Sequence, residues 1–96
     1  MIKHLILWKL KAGVDPSVKQ GIKDGLEDLV GVVPGLLKVS VVFDGLSSST
    51  ADVMLDSDFE SEQALEAYKI HPAHVKVADE RVRPFTEVRL CMDYEM

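Results

Sequence analysis

The chain has 96 residues, 47% of them apolar, and 16 acidic against 11 basic side chains leave a net charge of −5. That length makes one domain, residues 1–96, and the acidic balance argues against a nucleic-acid partner or an anionic membrane surface, because no row of phosphates could be neutralised. No apolar run approaches a membrane span, Lys3 and Lys9 interrupt any signal-peptide core, and the lone Cys91 excludes an internal disulfide, so a cytoplasmic location is expected.

Ile2 to Lys11 reads as a strand. Ile2, His4, Ile6, Trp8 and Leu10 share one face, and Leu5 and Leu7 make the centre of the other face apolar as well. A strand apolar on both faces is buried on both. Asp15-Pro16 opens a helix, with Asp15 as cap and proline pre-set for the first turn. Its apolar stripe is Val18, Ile22, Leu26, Leu29, Val30 and Val33, and Pro34-Gly35 is the expected end. Gly21 and Gly25 lie inside it and imply close approach to a sheet.

Leu37 to Phe43 alternates as a second strand, and Ala51 to Phe59 as a third, after a serine-rich loop. Ser61 caps a short helix running to about Ile70. His71-Pro72 breaks it, since the residue before proline avoids helical angles. Pro72 starts another short helix carrying Val75, Ala78 and Val82, which Pro84 stops. Glu87 to Tyr94 alternates as the last strand.

The order β-α-β-β-α-(α)-β predicts an α+β, ferredoxin-like fold with a four-stranded antiparallel sheet. Helices cover one face of such a sheet. The other face carries Leu5, Leu7, Val42, Met54 and Cys91 in this reading and needs a cover. A second copy of the chain supplies it, giving a homodimer and a dimeric α/β barrel.

The sharpest local feature is Tyr68-Lys69-Ile70-His71-Pro72-Ala73-His74-Val75, which holds two of the three histidines. Together with Lys3-His4-Leu5-Ile6-Leu7-Trp8-Lys9-Leu10-Lys11, Val33-Pro34-Gly35 and Asp93-Tyr94, this run resembles the stress-responsive α/β-barrel (Dabb) family over essentially the whole chain. The resemblance implies a ferredoxin-like homodimer. It also implies similarity to some plant members that resemble polyketide cyclases, enzymes that close a linear poly-β-keto chain by intramolecular aldol condensation. Their catalytic tyrosine and second motif histidine map onto Tyr68 and His74. Their cavity histidines map onto His4 and His71. Some relatives hold magnesium on backbone carbonyls that would fall around Val30, Val33 and Leu36.

The residue types suit that chemistry. Neutral histidine is a base near pH 7, and a tyrosine hydroxyl stabilises developing negative charge on oxygen. Neither role needs a metal or an organic cofactor. Catalytic Tyr68 and His74 with substrate-binding His4, His71 and Trp8 make one reading, an enzyme acting on a small carbonyl compound. A second reading is a non-catalytic ligand-binding or stress-stability protein, in which His71-Pro72 is a helix break, His74 and His4 are satisfied core histidines and Tyr68 is a core aromatic. A third is a cofactor-independent monooxygenase, for which Trp8 would be the suggestive residue. A metal held by His71 and His74 is disfavoured by the proline between them. Cys91 reads as packing, and the acidic run Asp52, Asp56, Asp58, Glu60 and Glu62 as a solvated edge.

Overall fold

Alternation in the first strand decides the layering. In the computed structural model, which describes residues 1–96, β1 (Ile2–Leu10) is the second strand from one edge of a four-stranded antiparallel sheet of order β2-β3-β1-β4. The other strands are β2 (Leu36–Phe43), β3 (Val53–Phe59) and β4 (Thr86–Glu95). Helix α1 (Ser17–Glu27) connects β1 to β2, and α2 (Glu62–Ile70) and α3 (Pro72–Val77) connect β3 to β4. This is the ferredoxin-like arrangement, with the helices on one face.

The core lies between that face and the helices. Ile2, Ile6, Trp8 and Leu10 from β1 meet Val53, Leu55 and Phe59 from β3, Val41 from β2, and Ile22 and Leu26 from α1. The opposite face has no cover in the subunit. Leu5 stands across from Met92, and Leu7 is flanked by Leu90 and Met54. These side chains line a shallow apolar depression.

The last strand shows how uneven this layering is. Val88, Leu90, Met92 and Tyr94, the apolar set of β4, all point to the open face, and Leu90 and Met92 are 63% and 67% exposed. The polar set, Arg89, Cys91 and Asp93, points to the helix side. Cys91 therefore does not belong to the open face, contrary to the sequence expectation. It stands opposite Ile6 in the ladder, and Ile6 faces the helices.

The helix starts are as the sequence implies. The Asp15 carboxylate accepts the Ser17 N–H at 2.8 Å, and Ser61 Oγ accepts the Ala64 N–H at 3.1 Å. The end of α1 differs. The helix stops at Glu27, and turns carry the chain to Val33; Leu29 and Val33 remain buried, but Val30 is exposed. Pro34-Gly35 therefore begins the second strand's approach and is no helix end. Gly35 has φ +81°, and a Cβ there would sit 2.5 Å from the Ala64 Cβ.

Gly25 packs against the end of α3 and the turn after it, where a Cβ would meet Val77 and Arg81 at 2.9 Å. The approach is helix to helix and not helix to sheet. Arg81 reinforces it by donating to the Gly21 carbonyl at 3.1 Å. On the outer edge of β2, Lys23 and Glu27 of α1 occupy the free backbone groups of Val41. Lys23 donates to its carbonyl at 2.8 Å, and Glu27 accepts its N–H at 3.0 Å. An edge satisfied in this way offers less to a passing strand.

Candidate active site

The break at His71-Pro72 positions the site. His71 is extended (φ −65°, ψ 131°), as a residue before proline must be, and its Nδ1 accepts the Ala73 N–H at 3.1 Å. The chain thus turns sharply from α2 into α3 and brings His74 back over Tyr68. The two rings meet edge to face with centroids 3.9 Å apart. Beyond α3, a wide π-type turn (Ala78–Val82) and a tight turn (Arg83–Phe85) lead into β4. The wide turn directs both Ala78 and Val82 inward, a local irregularity of a kind often found at functional sites.

A cavity of ≈ 270 Å³ lies under this turn. His4, Ile6 and Trp8 form its floor, and Tyr68 and His74 form one wall. Of the sequence-derived candidates, Tyr68, His74, His4 and Trp8 come together here. His71 does not line the cavity; its ring caps α3. The space lies between sheet and helices of one subunit, on the face opposite Leu5 and Leu7.

Aromatic packing holds Tyr68. Its ring stacks on Phe59 with centroids 4.9 Å apart, and His4 stands edge-on to it at 6.2 Å. Tyr68 is 3% exposed. Burial pushes its hydroxyl pKa well up, against a smaller opposing effect of the Arg89 charge. It therefore stays a neutral donor across the physiological range.

His74 is half-buried, and its Nδ1 lies 3.4 Å from the Lys69 carbonyl oxygen. A proton on Nδ1 serves that contact and leaves the Nε2 lone pair free. Burial lowers its pKa, the Lys69 carbonyl opposes this, and the charges of Arg83 and His4 add to the lowering. The neutral base form is thereby favoured near pH 7.

Asp93 is a residue that the sequence flagged only as part of a closing dipeptide. It stands directly across from His4 in the ladder, and its carboxylate is hydrogen-bonded to His4 Nδ1. Burial disfavours the charged carboxylate, but the His4 hydrogen bond and charge, the Cys91 contact and the Lys69 charge together outweigh it and hold the Asp93 pKa below its ordinary value. His4 is 4% exposed and so is fixed in orientation, with Nε2 as its remaining nitrogen. Cys91 Sγ lies 3.7 Å from His4 Nδ1 and 3.5 Å from Asp93 Oδ1. Nitrogen, sulfur and oxygen donors thus lie within 4.8 Å of one another. Burial and the Asp93 charge push the Cys91 thiol pKa up, and a protonated thiol is a poor metal ligand.

The turn around Val30, Val33 and Leu36 offers backbone carbonyls, of which that of Val33 accepts the Leu36 N–H at 3.3 Å. No acidic side chain lies between Leu29 and Leu36 to mark a cation site there. The acidic run is partly engaged in structure. Asp52 accepts the Leu10 N–H at 2.8 Å, and Asp56 and Asp58 flank Lys3 Nζ, each at 2.6 Å.

Fold and cavity together define a small ferredoxin-like α+β domain with a histidine–tyrosine pocket between sheet and helices. The chain belongs to the stress-responsive A/B barrel domain family, whose model matches residues 2–96. It is similar to olivetolic acid cyclase of Cannabis sativa, with 30% identity over 96 residues covering 97% of this chain and 94% of that protein. It is also 30% identical over 95 residues to a stress-response A/B barrel domain-containing protein of Arabidopsis thaliana; there the match covers 98% of this chain but 36% of the relative. Among solved structures it resembles a dimeric ferredoxin-like protein of unknown function from Bacteroides fragilis, with TM-score 0.89 and 27% identity, covering 99% of this chain and 95% of that one.

Proposed function

We propose that the chain is a cofactor-independent enzyme that acts on a small carbonyl compound by proton abstraction, with His74 as base and Tyr68 as hydrogen-bond donor. The observation that carries this reading is the 3.9 Å contact of the two rings at the wall of a cavity large enough for a small molecule. The likeness to a cyclase over nearly the whole of both chains supports it.

The chemistry closes without a further reactant. His74 Nε2 takes the proton from carbon next to the carbonyl, and the C–H electron pair becomes the enolate π-bond as negative charge moves onto oxygen. The Tyr68 hydroxyl stabilises that oxygen. In a ring closure, the enolate carbon attacks a second carbonyl of the same molecule, and the new alkoxide takes back the proton from the His74 imidazolium. His4, held by Asp93, is a second polar group on the floor and orients the substrate. Trp8 and Ile6 supply apolar surface for its carbon skeleton.

The working unit in this proposal is a homodimer joined through the open sheet face. The apolar side chains of Leu5, Leu7, Leu90 and Met92 support it, as does the dimeric state of the Bacteroides fragilis neighbour.

The test is turnover of poly-β-keto thioesters and small 1,3-diketones by the purified protein. His74→Ala is expected to lower kcat by roughly 10²–10⁴-fold, as for loss of a positioned base. Tyr68→Phe is expected to lower it by about 10²–10³-fold, as for loss of one oxyanion donor, while the ring stack on Phe59 survives. Turnover that His74→Ala leaves unchanged would overturn the assignment.

A further inference from the structure

The cavity wall has a charge opposite to that of the chain. Acidic residues outnumber basic ones 16 to 11, yet Lys69, Arg83 and Arg89 line the cavity and no carboxylate does. Two of these cations are already paired. Lys69 lies 3.1 Å from Glu66, and Arg83 is bonded to Asp79. Arg89 makes none of the chain's ion pairs. It stands across from Trp8 in the β1–β4 ladder, which sends its side chain to the cavity side. Its charge is felt at the Tyr68 hydroxyl, where it favours a negative oxygen.

We propose that Arg89 is the anion anchor of this cavity and that the ligand is a small keto acid, its carboxylate on the guanidinium and its keto oxygen toward the Tyr68 hydroxyl. The proposal rests on the acid–base reading of Tyr68 and His74 and extends it to a substrate class. A guanidinium holds a carboxylate through two parallel hydrogen bonds, which fixes orientation as well as position. With one end of the molecule on Arg89 and the keto oxygen at Tyr68, the acidic C–H between them faces His74. A volume of ≈ 270 Å³ with an arginine in its wall suits a short polar acid and disfavours a long apolar tail.

The experiment compares 3,5-dioxohexanoate with its methyl ester, which keeps the carbon skeleton and loses the charge. Binding is read by calorimetry and by amide chemical shifts of the full-length protein at low ionic strength. The acid is expected to bind about tenfold more tightly than the ester, with the advantage shrinking in high salt. Arg89→Gln is expected to remove the difference, and Arg89→Lys to keep part of it. Arg89 is on an exposed edge strand, and circular dichroism with a mass measurement confirms that each variant is folded. Equal binding of acid and ester, or a preference that survives Arg89→Gln, overturns the anchor. Turnover of the ester as fast as the acid also overturns it while leaving the carbonyl chemistry standing. Arg89-dependent binding of the acid without turnover keeps the anchor and removes the enzyme reading. Binding of neither compound overturns both.

Discussion

At the scale of single residues, the two site histidines are prepared in different ways. His74 offers its Nδ1 to a backbone carbonyl and is buried against Tyr68, while His4 is tied to a carboxylate. Burial, with the charges of Arg83 and His4, moves the His74 pKa down. A base of that kind loses its proton below the ordinary imidazole value of about 6.5. The kcat/KM profile is therefore expected to rise with pH through a midpoint below that value and to be flat by neutrality. A midpoint at or above 6.5 would assign the titration to another group. The same shift bears on folding. Between the folded and unfolded pKa values of His74 the unfolded chain binds the proton more readily, so stability rises with pH across that window.

The scale of elements shows why some of this was readable in the sequence and some was not. Period-two alternation revealed all four strands, and the two caps and two prolines marked where helices begin and break. The Tyr68 and His74 pairing was legible because both residues flank one local turn. Arg89 and Asp93 were not legible as site residues. Their role depends on standing across from Trp8 and His4 in β4, more than eighty residues along the chain, and alternation does not say which face of a strand meets the helices. The early end of α1 was hidden for a related reason. Leu29 and Val33 continue the apolar stripe although the turns that carry them are no longer helical. Gly35 is the element-scale position with the least freedom. Its positive φ and the 2.5 Å approach to Ala64 exclude a side chain. Gly35→Ala is expected to cost about 2 kcal/mol or more, a fall in Tm of roughly 10 °C in thermal unfolding. Gly31→Ala shares the positive φ but has open space around it, so it is expected to cost less.

For the whole molecule, the exposed face of the sheet is the dominant unsatisfied surface. Leu7, Val42, Leu90 and Met92 are all exposed in the isolated subunit, and a short chain gains much by covering such surface. Placing a charge there should oppose the homodimer without disturbing the core behind it. Leu7→Glu is expected to yield a monomeric mass in sedimentation equilibrium at micromolar concentration. The wild-type chain is expected to give twice that mass. A monomeric wild type would remove the dimer from the proposal.

The two-sidedness of β4 ties the proposed homodimer to the proposed chemistry. The same ten residues send Val88, Leu90, Met92 and Tyr94 to the open face and Arg89, Cys91 and Asp93 to the helix side, where Arg89 lines the cavity, and β1 is the only strand that holds them in place. In the proposed homodimer, a partner subunit that clamps the outer side of β4 would also steady the carboxylate bonded to His4 and the guanidinium at the cavity wall. If the proposed enzyme works as that homodimer, subunit concentration becomes a control on catalysis in its own right: as the protein is diluted past its dissociation midpoint, activity per subunit should decline, and ligand in the cavity should in turn hold the pair together.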